Sequence, residues 1–321
     1  MSFVGNGRTE ALGGRERKAL NGTMHIPDAK LAEVFDRGFT VVEGFLDKET
    51  LAAAQDALWE IYPRPEEYFA NPEAYPKFAK SQFAGLRFFP YPSWVINQVT
   101  VYPDLLDAAE RFLQTKEIDC YKIELWAKYA GAIDYDQAHH RDYENHTIVV
   151  PRADQLMPQM TCFILLSDVT ELDGPTKAVP LEKTRHIPIG VTRTEMGELF
   201  DDEVAVTGPA GSMLIYKTDV FHRGSNFGAA GRSRFVMPID FKARGWRWQG
   251  KLAWPDRTLN PGWKEAMVRM TPRQRDVFGW PPAGDPYWNA QTLSDVALRY
   301  PGIDLTPYGA PAAPEPAEAQ A

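Results

Sequence analysis

Two histidines and one aspartate carry the most specific chemistry in this chain. His140 and Asp142 flank Arg141, and His222 follows far downstream, shortly after the apolar stretch Gly211–Tyr216. Two imidazoles and one carboxylate are the protein ligands of the facial triad that holds a non-haem Fe(II) and leaves positions open for oxygen chemistry. A His-x-Asp pair is a weak signal in a chain with six histidines, so its surroundings decide what it means.

Those surroundings favour a metal. On a strand, residues i and i+2 share a face, so His140 and Asp142 can reach one ion while Arg141 turns away. On a helix they would lie about 200° apart and could not share it. The polar stretch Ala138–Glu144 reads as a strand or strand-edge loop. An octahedral ion with three protein ligands keeps three positions, enough for a chelating 2-oxo acid and O2. Past His222 the chain runs through Arg223-Gly224-Ser225-Asn226 to Arg232-Ser233-Arg234 and an apolar strand. An arginine at a strand mouth suits a two-pronged grip on the far carboxylate of 2-oxoglutarate. Arg232 and Arg234 share a face, and only one is needed.

The elements that must position these groups fall into two patterns. Before residue 120 the periodicity is helical. It predicts a helix over 29–37 capped by Asp28 and ended by Gly38, a short strand Phe39–Val42, and a helix opening near Asp47 and stopped by Pro63 and Pro65. Residues 64–100 read as irregular with short helical pieces, followed by a helix over Pro103–Leu113. From Cys120 the pattern alternates. Strands are expected at Ile123–Tyr129, Thr147–Val150, Met160–Leu166, Val204–Val206, Ser212–Tyr216 and Phe235–Phe241, separated by turn residues. Strands after a helical preface imply a mainly β protein with flanking helices, whose core is a double-stranded β-helix, a cupin-like jelly roll.

The 321 residues divide into a flexible arm (1–25), one domain (26–309) and a disordered tail (310–321). Within the domain we expect a helical preface over about 26–119, a barrel over about 120–242 and a Trp/Pro-rich wrap over 243–309. That wrap is either packing or an oligomer contact. The aromatic segment Tyr68–Trp94 and the loop Pro151–Pro158 could form a lid. A net charge of −8 argues against nucleic acid and acidic membranes as partners, leaving a small-molecule substrate. No apolar run reaches the ~20 residues of a membrane helix. No signal core opens the chain, and its two cysteines, Cys120 and Cys162, suit a reducing cytoplasm.

Four segments, in order over roughly residues 30–242, resemble the phytanoyl-CoA dioxygenase family of Fe(II)/2-oxoglutarate-dependent oxygenases. They are Phe35–Asp47, His140-Arg141-Asp142, Leu165–Glu171 with Asp173-Gly174-Pro175, and Gly211–Tyr216 leading to His222–Asn226 and Arg232. The resemblance implies Fe(II) as cofactor and 2-oxoglutarate and O2 as cosubstrates. It implies His140, Asp142 and His222 as iron ligands, and Arg232 on the C5 carboxylate of 2-oxoglutarate with Arg234 as the fallback. The intact Asp142 favours hydroxylation or a related oxidation over halogenation. One segment departs from the family: Pro180 is followed by Leu-Glu-Lys-Thr-Arg-His186 on the substrate side. Lys128, Arg141 and His186 are candidate substrate contacts, whereas His139 and His146 flank the site without filling a ligand position. A non-catalytic binding protein of the same fold and a cupin-type metalloenzyme without 2-oxoglutarate remain as alternative readings.

Overall fold

A computed structural model of the chain describes residues 26–132, 136–147, 159–245 and 250–311. Nine strands are present among them: β1 (Phe39–Val42), β2 (Gly85–Phe88), β3 (Ile118–Tyr129), β4 (Gln159–Leu165), β5 (Thr176–Ala178), β6 (Val204–Val206), β7 (Met213–Lys217), β8 (His222–Gly224) and β9 (Ser233–Ala243). They form a six-stranded sheet in the order β1-β7-β4-β9-β3-β2 and a three-stranded sheet in the order β6-β5-β8. Every pairing is antiparallel. The mainly β fold with flanking helices is as expected, with one correction: the two sheets are open and face each other rather than closing into a barrel.

The large sheet explains where the core sits. Its side chains alternate between faces. One face carries Ile123, Leu125, Met160, Cys162, Ile164, Met213, Ile215, Met237, Ile239 and Phe241, all buried with the helices in the main apolar cluster. The other looks toward the small sheet, where Leu214 and Tyr216 pack with Ala178, Val206 and Val220, and Leu165 packs with Val169 and Val236. Cys120 and Cys162 are buried free thiols on the helical side.

The helical preface follows local chemistry. Asp47 caps the helix Lys48–Leu58 by accepting from Thr50 N at 2.8 Å. The first helix, Asp28–Arg37, has Pro27 rather than Asp28 at its cap position, and Asp28 instead pairs with Arg111. Gly38 ends it with φ +99°, and a Cβ there would lie 2.4 Å from Val220 Cγ2, so both backbone and space call for glycine. Pro103–Leu113 is helical as read. The irregular region also hides β2, which pairs with β3. The short strands β5 and β8 escaped the alternation test because three residues cannot establish a period. The expected strand at 147–150 and the lid segment 151–158 lie mostly or wholly outside the described residues, as do the N-terminal arm and residues 312–321 of the tail.

Large aromatics bind the periphery to this core. Trp254 and Trp263 meet Phe89 edge-on at 6.0 Å each, and Trp254 Nε1 donates to Cys120 O at 3.1 Å. These tryptophans therefore pack the wrap onto the sheet's helical side. Tyr68 stacks on Tyr129 at 4.3 Å and is buried with Phe78, so this part of the 68–94 segment is core and not lid.

Candidate metal centre

His140 and His222 face each other across a two-bond antiparallel bridge. His140 N donates to His222 O at 2.9 Å, and His222 N donates to His140 O at 3.0 Å. His222 opens β8, and its ring lies 4.6 Å from that of His140. Asp142 follows a different path from the one the sequence suggests. His140 belongs to an isolated bridge, after which Asp142 (φ −64°, ψ −25°) turns into the short helix Tyr143–His146. The i, i+2 pair meets because a bridge passes into a helical turn, not because a strand runs on.

One ligand atom from each of His140, Asp142 and His222 lies within 4.8 Å of the others. Asp142 Oδ1 is 3.5 Å from His222 Nε2 and 3.9 Å from His140 Nε2. Metal bonds of about 2.0–2.2 Å at right angles put donors roughly 3 Å apart, so the three groups stand slightly wider than an ion would draw them. The surroundings fix which atoms face inward. His140 Nδ1 lies 3.1 Å from Ala138 O, and His222 Nδ1 lies 3.1 Å from Val220 O. A proton on each Nδ1 satisfies these carbonyls and leaves each Nε2 lone pair for a metal. On the carboxylate, Oδ2 accepts from the Tyr216 hydroxyl at 2.6 Å.

Electrostatics suit a cation. Burial works against the Asp142 carboxylate, but His222, His146 and Lys122 hold its pKa well below the usual range. Burial, reinforced by His222, pushes His140 down to about 4, so its ring is neutral at pH 7. Burial also opposes a charge on His222, but Asp142 outweighs it and raises that pKa. The fit to a divalent ion is therefore good, with a proton on His222 as its main competitor.

Arg232 and Arg234 differ sharply in placement. Arg232 is about a third exposed and forks onto Asp173, with Nε to Oδ1 at 2.7 Å and Nη2 to Oδ2 at 2.8 Å. Arg234 is buried on the inner face of β9, stacked 5.5 Å over Trp126, and donates to Gly174 O. It lines a narrow pocket with Phe163, Leu165, Thr176 and Leu214. Register ties this pocket to the triad. Thr176 lies two residues from Ala178, which pairs with His222, and Leu214 lies two residues from Tyr216. Two residues of strand span about 7 Å.

The remaining expected contacts scatter. Arg141 is buried with its guanidinium turned onto Asp219 O (2.9 Å), Pro188 O (2.8 Å) and Val191 O (2.8 Å). Lys128 is buried, donating to Ser225 O at 3.0 Å beside the Phe227 ring. His186 is exposed next to the helix Leu181–Thr184, where the chain departs from the family pattern. His139 is fully buried against Phe200 and Glu203. His146 lies 3.2 Å from the buried Asp240. Sequence reading missed Tyr216 as a supporting group. It also missed the polar residues Lys122, Gln159, Thr161 and Asp240, which occupy the inner faces of β3, β4 and β9.

An open jelly roll carrying a 2-His-1-carboxylate cluster defines the class. A profile of the phytanoyl-CoA dioxygenase (PhyH) family matches residues 35–234, and the chain belongs to that family. Iron and 2-oxoglutarate are accordingly its cofactor and cosubstrate. Among solved structures, the chain is similar to the non-haem alpha ketoglutarate dependent carbocyclase SnoK from nogalamycin biosynthesis, at 14% identity and TM-score 0.50 over 68% of this chain and 84% of that one. It also matches the epimerase SnoN from the same biosynthesis, at 17% identity and TM-score 0.45 over 67% of this chain and 80% of that one. A search of curated protein sequences returns no match. No described helix is long and apolar enough to cross a membrane.

Proposed function

We propose that this chain is an Fe(II)- and 2-oxoglutarate-dependent dioxygenase that oxidises a small organic molecule at a C–H bond. In this reading His140, Asp142 and His222 ligate the iron, and Arg234, rather than Arg232, holds the far carboxylate of 2-oxoglutarate. The observation that carries it is the convergence of two Nε2 atoms and one carboxylate oxygen whose opposite ends are tied down by Ala138 O, Val220 O and the Tyr216 hydroxyl. When bound, the iron with its keto acid and O2 supplies the oxidising chemistry, releasing succinate and CO2.

The chain's own residues contribute position and exclusion. Arg234 is a buried guanidinium lining the pocket it shares with Thr176 and Leu214, each two residues along its strand from a neighbour of the triad, while Arg232 forks onto Asp173 at the rim. Phe163, Leu165 and Leu214 wall that pocket with apolar surface, which keeps water from the carboxylate grip. The retained Asp142 carboxylate supports hydroxylation or a related oxidation over halogenation. The acidic charge supports a small-molecule substrate rather than nucleic acid or a membrane, and two free thiols suit the reducing cytoplasm.

The test is anaerobic Fe(II) titration paired with succinate release in air. Wild type should bind one equivalent of iron and consume 2-oxoglutarate, and His140→Ala should do neither. Equal iron uptake by the two proteins would rule out the ligand assignment.

A further inference from the structure

Beyond Tyr216, the inner face of the large sheet carries a row of polar groups leading away from the triad. Register aligns Tyr216 with Thr161, Thr161 with Asp240, and Asp240 with Lys122, on four neighbouring strands about 4.8 Å apart. Tyr216 reaches Asp142, so the row begins at the metal centre. A bulge in β3 between Cys120 and Lys122 makes this possible, because it brings Lys122 opposite Asp240.

The row is buried and only partly paired. Thr161 and Asp240 are fully buried, Gln159 is 1% exposed and Lys122 5%. Among the described residues, the Thr161 hydroxyl, both carboxylate oxygens of Asp240 and both amide atoms of Gln159 have no hydrogen-bond partner, although Asp240 is ion-paired with Lys122. Buried polar atoms of native proteins are almost always paired, and exceptions mark a bound water or ligand. Charges of both signs lie along it. Asp240 Oδ2 lies 3.4 Å from Lys122 Nζ and 3.2 Å from His146 Nδ1, and Lys122 Nζ lies 3.7 Å from Glu124 Oε2.

We propose that Thr161, Asp240 and Lys122, flanked by Gln159, recognise a neutral hydroxyl-bearing group of the substrate, an alcohol or polyol. A hydroxyl donates to Asp240 while accepting from Lys122 or the Gln159 amide, which matches acceptors and donors set side by side. A substrate carboxylate would crowd Asp240 and Glu124, and a substrate ammonium would crowd Lys122 and the metal. The assignment rests on the oxygenase reading above and adds the substrate class to it.

Saturation-transfer NMR on the full chain loaded with Mn(II) and 2-oxoglutarate tests this, with methyl β-D-glucopyranoside as the hydroxyl probe. Cyclohexanecarboxylate and cyclohexylammonium serve as the charged probes. The glucoside should show transfer and Mn(II)-induced line broadening, and the charged rings should not. Asp240→Asn and the near-isosteric Thr161→Val should each reduce the glucoside signal at least fivefold, with Mn(II) uptake unchanged by electron paramagnetic resonance. No glucoside transfer in wild type, as when water alone fills the row, overturns the proposal. So does an undiminished signal in Thr161→Val, or preference for a charged ring. Failure of wild type to take up Mn(II) counts against the metal centre instead, and glucoside transfer sensitive to Thr161→Val is still expected of the row.

Discussion

The Tyr216 hydroxyl donates to Asp142 Oδ2 at 2.6 Å, while Oδ1 of the same carboxylate faces both imidazole Nε2 atoms. The phenol thus selects which oxygen is offered to a metal and stops the carboxylate from rotating. Tyr216 itself is buried and fixed by its ring contacts with His222 at 4.9 Å and Phe163 at 5.6 Å. Its conformation therefore does not depend on the hydrogen bond it makes.

Tyr216→Phe keeps those ring contacts and removes only the donor. Partners of metal ligands typically contribute 10–100-fold in metal affinity. We expect Fe(II) to bind weaker by about that factor, with the unfolding midpoint of the metal-free protein little changed. Anaerobic titration and urea unfolding measure the two. Unaltered iron affinity would mean that the carboxylate is oriented without the phenol.

The two arginines separate cleanly by kinetics. Arg234→Met removes a buried fork and should raise the KM for 2-oxoglutarate at least ~100-fold, consistent with the strength of charge-assisted bidentate contacts. Arg232→Gln should leave that KM within about threefold, because its guanidinium grips Asp173 at the rim. A reversal of the two effects would place the cosubstrate at the outer arginine.

These residues also show how far sequence could reach. His140, Asp142 and His222 were legible as a cluster because their types are rare and chemically matched. The local geometry was not, since the bridge-to-turn path at Asp142 depends on pairing with β8, a strand too short to have a period. The different placements of Arg232 and Arg234 were hidden for a related reason. They are two residues apart, but Arg232 precedes the start of β9 and forks onto Asp173, whereas Arg234 lies within the strand and is buried. The long strands and the helices 28–37 and 103–113 were readable because their apolar faces are unbroken. Thr161 and Asp240 were visible as polar residues in apolar strands, but their meaning required cross-strand register.

Arg141, placed between the proposed ligands His140 and Asp142, acts on the segment Pro188–Val191. Its guanidinium donates to Pro188 O, Val191 O and Asp219 O, and stacks 4.1 Å over Phe221. Arg141→Met would leave these buried carbonyls without donors, and charged hydrogen bonds are worth about 1.5–3 kcal/mol each. With partial rehydration of the loop, we expect a loss of about 3 kcal/mol in urea unfolding. Neutral stability with a raised substrate KM would instead make Arg141 a substrate contact.

His139 supplies a pH test independent of metal binding. The ring is fully buried, and among the described residues neither nitrogen has a hydrogen-bond partner, although Nε2 lies 3.0 Å from Glu203 Oε2. That carboxylate is already held by Arg223, with contacts of 2.6 and 2.7 Å. Burial therefore prevails over the pull of Glu203 and lowers the His139 pKa from 6.5 to about 4. Between these values the unfolded chain binds a proton that the folded protein refuses. This contribution to stability is complete above about pH 6.5, declines as pH falls, and levels off below about pH 4. A shift of this size amounts to about 3 kcal/mol at most. His139→Phe keeps an aromatic ring against Phe200 and abolishes the proton uptake, so the metal-free variant should lose less stability than wild type between pH 7 and pH 4. Urea unfolding at one-unit pH steps measures the difference. Parallel curves for the two proteins would mean that His139 is charged in the fold, with Glu203 rather than burial setting its state.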